Sequence, residues 1–330
     1  MRRRDFLGAA GLAALAIPSA ALGQPSERKR LVAVALALDE HDKDGERSVG
    51  AFKQSIEELG WANENLRVEY RWGATTPERA RAIAGELLKL HPDVIVSHAT
   101  IVARAFAQGT KTIPIVFTNV SDPLGEKFVQ SFAKPGGNIT GFTNIESTMG
   151  AKYLQLLKDV APNVTRAAML FNPKSAPGGG SFFTDAFEVA APQFSIQPIK
   201  AAVQDVAGIE KAISTLASSG SSGLIVVGEP FTNAHRSEIL ELASRYRLPT
   251  ICPYRFYAVD GCLLSYGVDL SDQFKRAATY VDRILKGASA SSLPVQSPVK
   301  FELAINVKTA KALGLTISPT LLARADEVIE

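Results

Sequence analysis

The chain has 330 residues, 46% hydrophobic and 21% charged, which excludes intrinsic disorder and allows two domains of ordinary size. Its formal net charge is +3, but residues 1–23 hold three Arg against one Asp, so the remainder carries about +1. Lys and Arg are scattered, with no basic stripe and no interleaved aromatics, so nucleic acid is not an expected partner.

Arg2, Arg3 and Arg4 precede an Ala/Leu-rich segment from Gly8 to Ile17, and small residues follow around Ser19–Gly23. A charged start, a short apolar core and a small-residue end read as a secretory signal peptide over residues 1–23. The apolar part is about 10 residues, too short for the roughly 20 that span a membrane. Arg3, Arg4, Phe6 and Leu7 resemble a twin-arginine export signal, and no Cys lies near the cleavage region to carry a lipid anchor. The expectation is an exported, soluble protein of the periplasm.

From Leu31 the chain alternates strand and helix. Leu31–Leu38 is an apolar run ending in the polar loop Asp39–Asp42, and Ser48–Leu59 has helical spacing through Val49, Phe52, Ile56 and Leu59. Leu66–Trp72 alternates as a half-buried strand, and Thr76-Pro77 opens a helix to about Leu90. Asp93–Ser97 is a third strand, ending in His98-Ala99-Thr100 before a helix from Ile101. The next run, Ile115-Val116-Phe117, gives way abruptly to Thr118, Asn119, Val120, Ser121 and Asp122. Asp122-Pro123 reads as a helix start, with Asp as cap and Pro in the first turn. Ligands of open α/β sheets bind beyond the carboxyl ends of strands, so Thr118–Asp122 is where a small molecule is expected; the alternative is a turn and a helix cap.

After the short strand Ile139–Thr143 the pattern restarts. Helix Met149–Val160, strand Arg166–Phe171, helix to Ala190, strand Phe194–Ile199, helix Val206–Leu216 and strand Gly223–Val227 follow in turn. A helix to about Tyr246, strands Pro249–Pro253 and Gly261–Tyr266, helix Asp272–Leu285 and strand Phe301–Ile305 complete the series. Leu31 of the first strand and Val94 of the third lie 63 residues apart, and Arg166 and Leu224 of the second half lie 58 apart. Each third strand leads to a helix and then a strand opened by Pro114 or Pro249. This domain-scale repeat predicts two similar α/β lobes, each a doubly wound parallel sheet, with an interlobe cleft.

Enzyme and metal signatures are weak. Ser131-Phe132-Ala133-Lys134 has S-x-x-K spacing without companion motifs, on an expected helix ending at the Pro135-Gly136-Gly137 turn, and there is no G-x-S-x-G. The four His have no paired ligand spacing, so no metal, cofactor or catalytic residue is expected. Cys252 and Cys262 fall in neighbouring strands; the expectation is two unpaired buried side chains, with a disulfide as the alternative.

Several stretches resemble one family. Pro114–Phe117, Ser121-Asp122-Pro123, Pro135–Gly141 and Ser265-Tyr266-Gly267 resemble the ABC-transporter substrate-binding family that contains the tryptophan-binding TrpX-type proteins. The resemblance implies a type I periplasmic-binding fold, with lobe 1 at residues 31–145 plus about 268–295 and lobe 2 at about 146–267 plus 296–325. It implies a monomer that closes on a small-molecule ligand, an amino acid or aromatic compound, and delivers it to an ABC permease in the inner membrane. A periplasmic ligand sensor presenting its solute to a membrane receptor is the alternative. A zwitterionic ligand needs donors for its carboxylate, for which Ser97, Ala99, Thr100 and Ser121 lie at helix starts and strand ends. Asp122 or Glu229 would accept from the ammonium; Thr118, Asn119 and Asn172 offer hydrogen bonds; Tyr254 and Tyr266 offer aromatic faces.

Overall fold

The computed structural model describes residues 28–330 except Ser147. The signal-peptide reading of residues 1–23 lies outside the described residues. Two sheets organise the chain. The first is wholly parallel, in the order β2-β1-β3-β4-β5, from β1 (Arg30–Ala35), β2 (Leu66–Arg71), β3 (Val94–His98), β4 (Ile115–Val120) and β5 (Ile139–Thr143). Helices α1 (Lys43–Glu58), α2 (Pro77–Leu88) and α3 (Thr100–Gly109) connect these strands. Because both faces are covered, the central strands β1, β3 and β4 run largely apolar on both sides, while the edge strand β2 alternates with polar residues. Val32, Val34, Val96 and Val116 face Phe52 and Ile56 of α1, while Ala33, Ile95, Ile115 and Phe117 face Ile83 and Leu87 of α2 and Phe106 of α3.

The second sheet follows the order β12-β11-β10-β9-β8-β6-β7. Its strands are β6 (Arg166–Phe171), β7 (Gln197–Ala202), β8 (Ser222–Val226), β9 (Thr250–Cys252), β10 (Leu264–Val268), β11 (Phe301–Asn306) and β12 (Glu327–Ile329). Only β11 runs antiparallel to its neighbour β10, and it pairs in parallel with β12. The helices of this half are α4 (Met149–Val160), α5 (Ser181–Ala190), α6 (Val206–Ser218), α7 (Pro230–Ala234), α8 (Arg236–Arg245) and α9 (Arg255–Val259). One face packs Ala167, Met169 and Ile225 on Leu154 and Leu157 of α4; the other packs Ala168, Leu170 and Leu224 on Ile213 of α6 and Ile239 of α8.

The chain passes between the sheets three times. It leaves the first after β5, at Asn144. Helix α10 (Leu270–Leu285) follows β10 of the second sheet, yet its Phe274, Ala277 and Val281 join the core of the first, beside Val32 and Phe52. Gln296 then bridges to Phe142 of β5 before β11 re-enters the second sheet. The last elements are α11 (Val307–Leu313) and α12 (Pro319–Leu322).

Three local expectations are corrected. No helix begins at Asp122-Pro123: residues 123–127 form a turn, with Asp122 Oδ1 accepting from Gly125 N at 2.8 Å. Lys127, at φ 57°, takes the left-handed conformation, which stops any helix from propagating. Cys252 and Cys262 are joined in a disulfide, closed across the α9 connection between β9 and β10. The two cysteines are also buried, so burial and pairing are not alternatives here. Ser131 lies on no helix; its Oγ accepts from Lys134 N at 3.0 Å within a loop, which accounts for the S-x-x-K spacing as a turn.

Candidate functional site

At the carboxyl edge of the first sheet the backbone is unusual. Ala99 and Asn119 both adopt left-handed φ, 76° and 58°, although neither is glycine. Such conformations cost of order 1–3 kcal/mol each and persist where surrounding contacts enforce them. Ala99 precedes α3 and supplies no side-chain cap, so the first amides of a ten-residue helix are without one. Asn119 sits where the β4–β5 register shifts, between Phe117 and Val120.

Asn119 is held from three directions. Its N–H donates to Gln273 Oε1 of α10 at 2.7 Å, and Gln273 Nε2 donates to Thr143 O at 2.9 Å. Its Nδ2 lies 3.1 Å from His98 Nε2. Its Oδ1 accepts from the Tyr254 hydroxyl, which follows β9 of the other sheet, at 2.9 Å. The same hydroxyl accepts from Asn144 Nδ2 at 3.2 Å, where the chain leaves β5. The two carboxyl edges therefore meet in a buried bridge. Burial pushes the Tyr254 hydroxyl up to about 12, so it stays a neutral donor.

A second contact lies at the end of β1. Asp42, the cap of α1, accepts from Asp44 and Gly45 amides and pairs with Arg236 of α8 at 3.0 Å. Arg236 also pairs with Asp260 at 2.8 Å and stacks over Phe256. At the carboxyl edge of the second sheet, beside the crossing at Asn144, lies a cavity of about 10 Å³, walled by Met149, Tyr153, Phe183, Tyr254 and Phe301. That is about one water's room; the contact of the two edges rests on the Tyr254 bridge and the Asp42–Arg236 pair. A surface groove of about 720 Å³ lies between α8 and α11 at the amino ends of β9 and β10, away from every expected site residue.

The expected residues other than Ala99 divide into four groups. Asn119 and Tyr254 touch directly. Ser97, Thr118, Thr100 and Ser121 line the same edge: Thr100 Oγ1 accepts from Ser121 N at 3.4 Å, while the buried hydroxyls of Ser97 and Thr118 have no hydrogen-bond partner among the described residues. Asp122 stands beside them in its turn. Glu229 and Asn172 meet within the second lobe instead. Glu229 caps α7, accepting from the Phe231 and Thr232 amides at 2.9 and 3.2 Å, from Asn172 N at 3.3 Å and from the Ser175 hydroxyl. Burial pushes its carboxyl up to about 7 against the pull of those four donors. Tyr266 is apart from the bridge: its ring stacks on Phe301 at 5.4 Å, with the Lys152 ammonium over it.

Sequence reading missed His98, Gln273, Asn144, Asp42 and Arg236. His98 was visible as a polar residue ending a buried strand, the signal that singled out Ser97 and Thr100. Gln273 and Arg236 carry no local signal, because each acts on residues of the other half of the chain.

A Clostridioides difficile tyrosine-binding protein is 23% identical over 297 residues, 88% of this chain and 82% of that one. A Vibrio cholerae conserved domain protein is 28% identical, with a TM-score of 0.84 over 91% of this chain and all of the other. A Streptococcus pneumonia ABC domain solved with L-Trp reaches a TM-score of 0.83 at 21% identity, again over 91% of this chain and all of the other. These likenesses bear out the expected fold, two parallel-sheet α/β lobes of the periplasmic-binding type. The family model for ABC transporter substrate binding protein matches residues 32–329, and the chain belongs to that family.

Proposed function

We propose that this protein is the exported solute-binding component of an ABC importer, capturing an amino acid or aromatic compound by closure of two lobes. The lobes would be residues 31–145 plus about 268–295, and about 146–267 plus 296–325. The observation that carries the reading is the buried bridge from Asn119 to Tyr254, which exists only when the carboxyl edges meet. Closure around a hinge creates a surface that a permease distinguishes from the open form. Export to the periplasm and action as a monomer belong to the same reading.

The ligand's carboxylate would lie at the uncapped start of α3, near Ala99, Thr100 and the unpartnered hydroxyls of Ser97 and Thr118. Glu229 is engaged by four donors of its own lobe, which leaves Asp122 as the acceptor for an ammonium. Tyr153, Phe183 and Tyr254 wall the apolar side. A relative named as tyrosine-binding and a fold relative solved with L-Trp support an aromatic amino acid as the first class to test.

The test is a thermal-shift screen of residues 24–330, refolded to remove carried-over ligand, against amino acids, sugars, nucleosides and aromatic acids. Ligand at about 100 times its dissociation constant adds roughly 2.7 kcal/mol, which moves the midpoint by several degrees. A shift from aromatic amino acids alone supports the reading. No shift from any class refutes it.

A further inference from the structure

The interlobe bridge has a direction. Asn144 Nδ2 donates to the Tyr254 hydroxyl, and that hydroxyl donates to Asn119 Oδ1. The remaining Asn119 group facing His98 Nε2 is therefore its NH2, which can only donate. His98 Nε2 must accept, so the neutral ring carries its proton on Nδ1. His98 is buried, its Nδ1 has no hydrogen-bond partner among the described residues, and its ring lies against Phe274.

The opposite arrangement is defined just as clearly. A proton on Nε2 would turn the Asn119 amide over and present NH2 to Tyr254. The hydroxyl would then receive bonds from both Asn119 and Asn144. Its remaining acceptors are Gly228 O, 3.5 Å away and within its own lobe, and Asn144 Oδ1, otherwise unpartnered among the described residues, once that amide also turns over. The position of one imidazole proton thus decides whether Tyr254 donates to Asn119 or turns to another acceptor.

We propose that His98 is a positioning residue for ligand capture: as the neutral Nδ1–H tautomer it fixes the Asn119 amide so that Tyr254 donates across the lobes. This rests on the reading that closure captures a solute. Burial favours the uncharged ring, lowering its pKa to about 4, while Asp42 pulls weakly the other way and is itself paired with Arg236. From α10 the ring meets Phe274, and Asn119 meets Gln273; neither side chain titrates. The Tyr254 hydroxyl, at the far side of Asn119, remains un-ionised.

The experiment has two independent arms on residues 24–330. Proton–nitrogen correlation of 15N-histidine protein at pH 7, assigned by loss of the signal in His98→Gln, reads the tautomer without any ligand. A protonated Nδ1 with a bare Nε2 is expected; a protonated Nε2 overturns the proposal. Calorimetry with L-tyrosine and L-tryptophan then compares wild type, His98→Leu and His98→Gln. Leucine leaves a buried amide without its acceptor and should weaken binding about tenfold, whereas glutamine, whose Oε1 can accept, should recover most of it. Equal losses in both variants refute a positioning role. If wild type binds neither amino acid, the ligand reading fails, and the tautomer arm still decides the assignment of His98.

Discussion

Replacing His98 by Gln should change how stability depends on pH, by an amount the structure supplies. His98 has a folded pKa near 4, against 6.5 for an unperturbed imidazole. Between those values the unfolded chain binds a proton that the native state refuses. Native stability therefore rises with pH through that window and is lost as pH falls through it. The gain between pH 4.5 and 7.5 is about 2.5 kcal/mol from this one group. Glu229 works in the opposite sense. Its carboxyl is raised from 4.5 to about 7, so the native state holds a proton that the unfolded chain releases, and stability falls as pH rises over nearly the same range. The two slopes largely cancel in wild type. His98→Gln removes only the rising one, so its stability should fall relative to wild type by about 2.5 kcal/mol from pH 4.5 to 7.5. Urea midpoints of both proteins, measured at four pH values and constant ionic strength, read the difference directly. Parallel profiles would refute the argument that His98 is buried and uncharged in the folded state.

Tyr254→Phe leaves Asn119 Oδ1 and Asn144 Nδ2 buried without that hydroxyl. At about 1–3 kcal/mol for each unmatched group, affinity for the captured solute should drop by tenfold or more while far-ultraviolet dichroism stays native; unchanged affinity by calorimetry would exclude the bridge from the site. The Cys252–Cys262 disulfide closes a short loop with a sequence separation of 10. Its loss should cost about 3 kcal/mol on the chain-entropy account, so reductant should lower the melting midpoint of wild type and leave a Cys252→Ser/Cys262→Ser double variant unmoved. Gly267 allows β10 to pass close to Pro253, since a Cβ there would stand 1.7 Å from Pro253 O. Gly267→Ala should therefore destabilise by about 1–3 kcal/mol or more and displace the segment carrying Tyr254, visible as a lower midpoint together with weaker binding.

Much of the architecture is legible in the chain because it follows from local periodicity. Continuous apolar runs such as Ile115–Phe117 announce strands buried on both faces, and the sudden change to Thr118, Asn119 and Ser121 marks a carboxyl edge. Helix boundaries followed cap chemistry where the cap was genuine: Thr76 caps α2 by accepting from Arg79 N. Asp122 offered the same signal and capped only a turn, because Lys127 left helical geometry five residues later. A cap side chain satisfies amides in either structure, so the cap alone does not choose between them.

What the sequence by itself determined is therefore the succession of strands and helices, their burial, and the polar character of the strand ends, all fixed by neighbours a few residues apart. The tertiary structure alone decided which ends meet. Tyr254 reaches Asn119 across 135 residues of chain, and Gln273 reaches the Asn119 amide across 154. It also decided that α10, which follows the second sheet, packs on the first, and that Cys252 and Cys262 pair. Hydrogen bonds and disulfides of this kind depend on distance and direction in space. No local pattern encodes those until the partners, within one sheet or on facing edges, are brought together in space.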